Sequence, residues 1–185
     1  MMLELSLNIL DVVQNSVTAG SKLTVMDIDA DTAADRLTVT VSDNGCGMTE
    51  EQVSRVTDPF YTTRTTRSVG LGIPFLKMAC ELTGGSLSID SAPGEGTTIR
   101  AELGLTHIDR MPLGDIAGTF TALVAPSPDI DFLLRYSVDG RSFSADTRDF
   151  REILGDVQLN EPQVLDFING FINENREECD QGILL

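Results

Sequence analysis

The chain has 185 residues, 41% of them hydrophobic, enough for one sizeable core with a small appendage and without the bias of a disordered chain. Its 13 Lys and Arg stand against 29 Asp and Glu, and the net charge of −16 repels phosphate backbones and anionic lipid, which argues against nucleic-acid and membrane partners. Every apolar run falls well short of the roughly 20 residues of a bilayer span, and no basic segment precedes an apolar one at the N-terminus, so a soluble cytoplasmic protein is expected. The three cysteines, Cys46, Cys80 and Cys179, are too far apart for a CxxC pair and odd in number, and are expected to be reduced thiols.

In chain order, residues 3–18 place Leu7, Leu10, Val13 and Val17 at helical spacing, with Asn8, Asp11 and Asn15 along a polar stripe, and the helix ends near Gly20. Residues 22–29 and 36–42 alternate apolar and polar and are expected to pair as antiparallel strands. Thr49-Glu50-Glu51 opens a short helix in capping style, and Pro59 with the hydroxyl- and Arg-rich residues 61–68 forms a loop. A second apolar helix spans 73–82 and stops at Gly84-Gly85, and strands at 86–90 and 97–103 flank a turn at 92–96. The pattern weakens around 107–114, which sets the expected boundary between residues 1–107 and a strand-and-helix extension over 108–185. In that extension 119–124, 132–138 and 141–145 are predicted strands, Asp139-Gly140 a hairpin turn, and 147–154 and 161–177 helices. The class is α+β, helices on a sheet.

Chemistry-bearing residues cluster in three places. Asp11 and Asn15, four apart, project a carboxylate and a carboxamide from one helical face, oxygen ligands that suit Mg²⁺, although a solvated stripe has the same pattern. Asp43-Asn44-Gly45-Cys46-Gly47-Met48 follows a strand, where two glycines admit a flat ligand and a strand-end carboxylate faces it; an ordinary turn has the same composition. Gly70-Leu71-Gly72 leads into a helix whose free N–H groups favour an anion.

Taken together and in order, these motifs resemble the GHKL superfamily of ATP-binding domains, shared by gyrase, the Hsp90 chaperones, histidine kinases and MutL. Residues 10–20 resemble its N box, Asp43 to Met48 its first glycine box, Asp58-Pro59-Phe60-Tyr61-Thr62-Thr63-Arg64 the F box of histidine kinases and Val69 to Phe75 the second glycine box, while Gly94-Glu95-Gly96-Thr97 is similar to the closing strand. The resemblance covers about residues 3–103. It implies a Bergerat-type sandwich with a mixed, mostly antiparallel sheet, and Mg²⁺ with ATP as cofactors; the small α/β C-terminal extension lies beyond it and is read from its own strand and helix pattern. By the same resemblance Asn15 ligates the metal, Asp43 accepts the adenine amino group, Gly45 and Gly47 shape the adenine wall, Gly70 and Gly72 hold the phosphate lid against the helix start, and Met48, Thr63 and Leu71 are further cofactor-site residues. Thr97 reaches the adenine side, and Arg64 and Arg67 meet the phosphates, although solvated loop cations have the same pattern. Asp11 stands where the family usually has the catalytic Glu, one methylene shorter, and the lid over 61–69 is brief.

A phosphoacceptor hairpin and a transducer domain of the gyrase or MutL kind are expected to be absent, and His107, near the predicted boundary, is not expected to be phosphorylated. The leading expectation is a stand-alone protein kinase acting in trans on a regulatory partner. The alternatives are a nucleotide-gated binding module and a slow ATPase. The extension is expected to be the output surface, with Val164, Leu165, Ile168, Phe171 and Ile172 as an apolar stripe covered by its own chain, a partner or a second copy.

Overall fold

A computed structural model of the protein describes residues 4–57 and 72–185. The elements run α1 (Leu5–Thr18), β1 (Leu23–Asp31), β2 (Arg36–Asp43), α2 (Glu50–Arg55), α3 (Gly72–Leu82), β3 (Ser86–Ala92), β4 (Gly96–Gly104), α4 (Ile116–Val124), β5 (Asp131–Val138), β6 (Arg141–Asp146), α5 (Thr147–Leu154) and α6 (Pro162–Asp180). Six strands form one sheet in the order β3-β4-β2-β1-β5-β6. Every neighbouring pair is antiparallel except β1 with β5, which run parallel with Leu23 opposite Asp131.

Period-two alternation sets the faces of the sheet. Met26, Ile28 and Ala30 of β1, Leu37, Val39 and Val41 of β2, Ile99, Ala101 and Leu103 of β4 and Leu134, Tyr136 and Val138 of β5 are buried toward the helices. Asp27, Asp29, Thr40, Arg100 and Arg135, at alternate positions, turn to the other side. The layer is thus helices on one face, as the α+β expectation has it. α1 packs between α3 and α4, and α4 in turn packs on α6.

α1 is more deeply enclosed than an amphipathic surface helix. Leu5, Ser6, Asn8, Ile9, Val12, Val13 and Ser16 are its buried residues, while Leu7, expected in the core, is exposed and Asn8, expected on the polar stripe, is fully buried. The helix is flanked by α3 and α4 as well as by the sheet, so more than one stripe is covered and a single-stripe reading misplaces its edges. Its N-terminus is satisfied by chain far downstream: Leu5 N–H donates to Pro112 O at 3.0 Å and Ser6 N–H to Leu113 O at 2.8 Å. The same linker is held by α6, since Arg176 Nη1 donates to Gly114 O at 2.8 Å.

Residues 119–124, predicted as a strand, lie in α4. Ile116, Ala117, Thr119, Phe120, Leu123 and Val124 are buried on nearly every side, and such a continuous apolar run does not distinguish a core helix from a core strand. The deciding signal is Asp115, whose carboxylate accepts the Gly118 N–H at 2.7 Å and caps the helix. The other elements match their predicted type. α2 starts with the reciprocal capping box of Thr49 and Gln52, and the β5–β6 hairpin turns through Asp139-Gly140 with positive φ at both residues (50° and 82°).

The apolar stripe expected on the last helix is consumed inside the protein. Val164, Ile168 and Ile172 are buried, and Leu165 and Phe171 are half-buried against the same core. Phe171 stacks edge-on against Phe143 of β6 and Phe150 of α5. β5 and β6 extend the sheet begun by β1, so residues beyond 107 share one core with those before it.

Candidate functional site

The second half of α1, the loop after β2, the β3–β4 turn and the start of α3 meet at one end of the sandwich. Asp43, the last residue of β2, pairs with Thr97 of β4, which pairs with Ser91 of β3. Val41 and Ile99 two residues away face the helices, so alternation turns Asp43, Thr97 and Ser91 to that side as well. The result is a polar rung at the mouth of the space between sheet and helices.

Two donors fix the Asp43 carboxylate. Ser16 Oγ, buried on α1, donates to Oδ2 at 2.6 Å, and the Gly45 N–H donates to Oδ1 at 2.8 Å. A carboxylate offers about four lone-pair sites, so the group is oriented by two bonds and keeps capacity to accept an amino N–H from a planar ligand. The loop that follows is tied down residue by residue. Asn44 Oδ1 accepts the backbone N–H of Lys22 (2.8 Å) and Leu23 (3.0 Å), and Cys46 N–H donates to Ala19 O at 2.9 Å. On the other side Gly94 N–H donates to Cys46 O at 2.8 Å, and Met48 N–H donates to Ser91 Oγ at 2.9 Å. Ser91 Oγ also lies 2.9 Å from Thr97 Oγ1, which closes the rung.

The glycines of this loop are there because backbone passes too close for a side chain. Gly47 has φ +66°, and a Cβ on it would lie 1.9 Å from Ala92 O. A Cβ on Gly96 would lie 2.0 Å from Asp43 O, and one on Gly45 would sit 3.0 Å from Ala19 Cβ, Ala19 O and Asp43 Oδ1 alike. The wall beside Asp43 is therefore built of bare main chain.

Asp11 and Asn15 are half-buried on one face of α1. Gly72, the first residue of α3, is pressed against Asp11, since a Cβ there would lie 2.8 Å from Asp11 Cβ and 2.9 Å from Asp11 Oδ2. The start of α3 thus meets the Asp11 carboxylate, with the Asn15 carboxamide one turn further along the same face of α1, an arrangement in which phosphate oxygens and a hard cation would find complementary groups. No group of three or more His, Cys, Asp or Glu able to hold a metal occurs among the described residues. A cation here would take one or two protein oxygens and complete its octahedron from phosphate and water, the usual arrangement for Mg²⁺. Thr63, Arg64, Arg67, Gly70 and Leu71 lie outside the described residues.

Ser16 and Ser91 were not among the expected site residues. Ser16 adjoins Asn15 in the N-box pattern and so carried a signal. Ser91 is one strand serine among several, and only the register singles it out.

The three thiols separate by exposure: Cys46 is exposed in the loop beside Gly47, whereas Cys80 and Cys179 are buried. Burial pushes the Cys80 thiol up to about 12 and also raises that of Cys179, and the thiolate is the reacting form. Native protein should therefore expose one fast-reacting thiol of the three to an Ellman-type reagent. Mg-ATP should slow that reaction, and an unchanged rate would place the Cys46 loop away from the nucleotide.

Residues 3–107 match the family described as histidine kinase-, DNA gyrase B- and HSP90-like ATPase. A non-motile and phage-resistance protein of Caulobacter vibrioides is 33% identical over 97 residues, which cover 50% of this chain and 12% of that protein. Sporulation kinase C of Bacillus subtilis is 29% identical over 96 residues, covering 52% of this chain and 22% of the kinase. The chain thus spans under a quarter of the length of these relatives. Among solved structures, the N-terminal domain of a DNA repair protein superposes with a TM-score of 0.53 at 14% identity, over 78% of this chain and 52% of that one, a likeness of fold.

Proposed function

The chain belongs to the histidine kinase-, DNA gyrase B- and HSP90-like ATPase family, and we propose that it binds Mg-ATP at the Asp43 end of the sandwich and passes the γ-phosphoryl group in trans to a regulatory protein partner. The observation that carries this reading is the Asp43 carboxylate, held by Ser16 and Gly45 beside a wall of bare backbone. There it accepts the adenine amino group while Thr97 lies across the rung. The triphosphate runs toward the start of α3, and Mg²⁺, when bound, neutralises phosphate charge next to Asn15. Asp11 takes the proton from the acceptor as the new acceptor–phosphorus bond forms and the bond between the γ-phosphorus and the bridging oxygen breaks, releasing ADP.

The position of His107 argues against this residue as the acceptor. It follows β4 at the Gly104 end, seven residues along the strand from Thr97, a separation of about 23 Å at the ordinary strand rise. This histidine therefore lies at the far end of the strand from the Asp43 rung. No helix among the described residues is long and apolar enough to cross a membrane, and the reading places the protein in the cytoplasm, where ATP is supplied and thiols stay reduced.

A second reading, nucleotide-gated partner binding, is favoured by one contact set. The linker that caps α1 at Leu5 and Ser6 is gripped by Arg176 of α6, so a nucleotide-driven shift of α1 reaches the C-terminal helix. Incubation with γ-labelled ATP and cell extract separates the readings. A labelled partner supports transfer; free phosphate alone supports a slow ATPase; neither, with ATP-dependent partner capture, supports gating. Label on the isolated chain that His107→Ala abolishes would contradict the placement of the acceptor elsewhere.

The metal assignment has its own test. Asn15→Ala should remove the gain in ATP affinity that Mg²⁺ gives, a loss of about tenfold for one charge-assisted ligand oxygen. The same Mg²⁺ dependence in calorimetry for variant and parent would show that the α1 face does not meet the metal.

A further inference from the structure

With the inner stripe of α6 buried, a different apolar surface is left uncovered. Ile153 on α5 is 79% exposed, Val157 just after it 48%, and Phe167 on α6 56%. Phe150 joins them: Phe167 stacks edge-on against this buried ring, and Ile153 lies one turn beyond Phe150 on α5. Ile153 and Phe167 therefore flank one point where the two helices meet, with Val157 exposed three residues past the end of α5. Gly170 continues the face one turn past Phe167, and a Cβ on it would meet nothing within 4 Å. A glycine inside a helix weakens it relative to alanine, and no neighbour within the chain requires one here. It leaves a notch beside Phe167.

The charge around this face is of one sign. Asp149, Glu152, Asp156, Glu161 and Asp166 are all exposed, and none makes a salt bridge among the described residues. The two arginines of α5 are engaged on the strand side: Arg148 with Asp146, and Arg151 with Asp131 and the carbonyls of Pro128 and Ile130. We propose that the Ile153–Phe167 face, with the Gly170 notch, docks an amphipathic helix of a protein partner whose apolar row is bordered by Lys and Arg. The apolar side chains supply the buried contact and the carboxylates select the rim. A second copy would bring the same carboxylates against themselves, on a chain already at −16, and an anionic lipid surface is repelled for the same reason. Docking needs no nucleotide, so a failure here leaves the reading of the ATP site as it stands.

The test uses the full chain without ATP and a fluorescent Leu/Lys peptide of about five helical turns, with Leu on one face, against a scrambled peptide of identical composition. Anisotropy should show the patterned peptide bound at least about tenfold more tightly than the scrambled one. Ile153→Ser with Phe167→Ser should erase that preference while leaving charge unchanged and the melt cooperative, at a midpoint lowered by the loss of the Phe167 stack on Phe150. Gly170→Ala should raise the melting temperature and yet weaken the patterned peptide, a pairing that a merely structural glycine would not give. Equal binding of both peptides, or a preference that survives the double substitution, would overturn the proposal. So would a parent chain that sediments as a dimer and is made monomeric by the double substitution, because the occupant would then be a second copy.

Discussion

Cut after residue 107, the chain should no longer fold cooperatively. The family match ends at that residue, but the sheet does not: β5 pairs with β1 over Leu23 to Ala30, and removing it turns a central strand into an edge. About half of the buried apolar side chains among the described residues come after 107, and they form one cluster with Ile9, Val13, Met26 and Ile28. Truncating a single buried Leu or Ile costs about 2–5 kcal/mol, so uncovering several together exceeds the whole stability of a typical domain, about 5–15 kcal/mol. The cut also takes away Pro112 O and Leu113 O, which accept from the first turn of the helix that carries Asp11 and Asn15. Circular dichroism of residues 1–107 should show no sigmoidal melt, and calorimetry no ATP binding. A truncated chain that melts cooperatively and binds ATP would establish residues 108–185 as the separable extension expected from the weak pattern at 107–114.

That contrast shows what local sequence carries. Alternation in β1 and β2, the capping box at Thr49 and the Asp139-Gly140 turn are properties of neighbouring residues and were legible. The parallel pairing of β1 with β5 joins residues about a hundred positions apart, and nothing in either strand names its partner. α4 was misread because burial on nearly every side removes the periodicity that distinguishes a helix. At the site, the order of motifs pointed to Asp43, Asn15 and the glycines by resemblance. The reasons for those residues are three-dimensional: Gly47 faces Ala92 O, Gly96 faces Asp43 O, and Gly72 faces Asp11. Ser16 reaches Asp43 only because α1 lies across the end of β2.

Asp43 is where the account is most exposed to test. Its carboxylate accepts from Ser16 Oγ and Gly45 N–H through different oxygens, and both bonds hold it toward the helix side of the sheet. Replacement by Asn keeps size and shape but puts an NH₂ against one of those two donors and removes the charge that strengthens the bond to an amino group. A charge-assisted hydrogen bond of this kind contributes about 1.5–3 kcal/mol, which corresponds to at least about tenfold in affinity. The measurement is a calorimetric titration of Asp43→Asn and the parent chain with Mg-ATP, with thermal melts to show that both are folded. The expected result is a parent chain that binds and a folded variant that binds at least about tenfold more weakly. Equal affinity in the two folded proteins would contradict the assignment of this strand end as the adenine site.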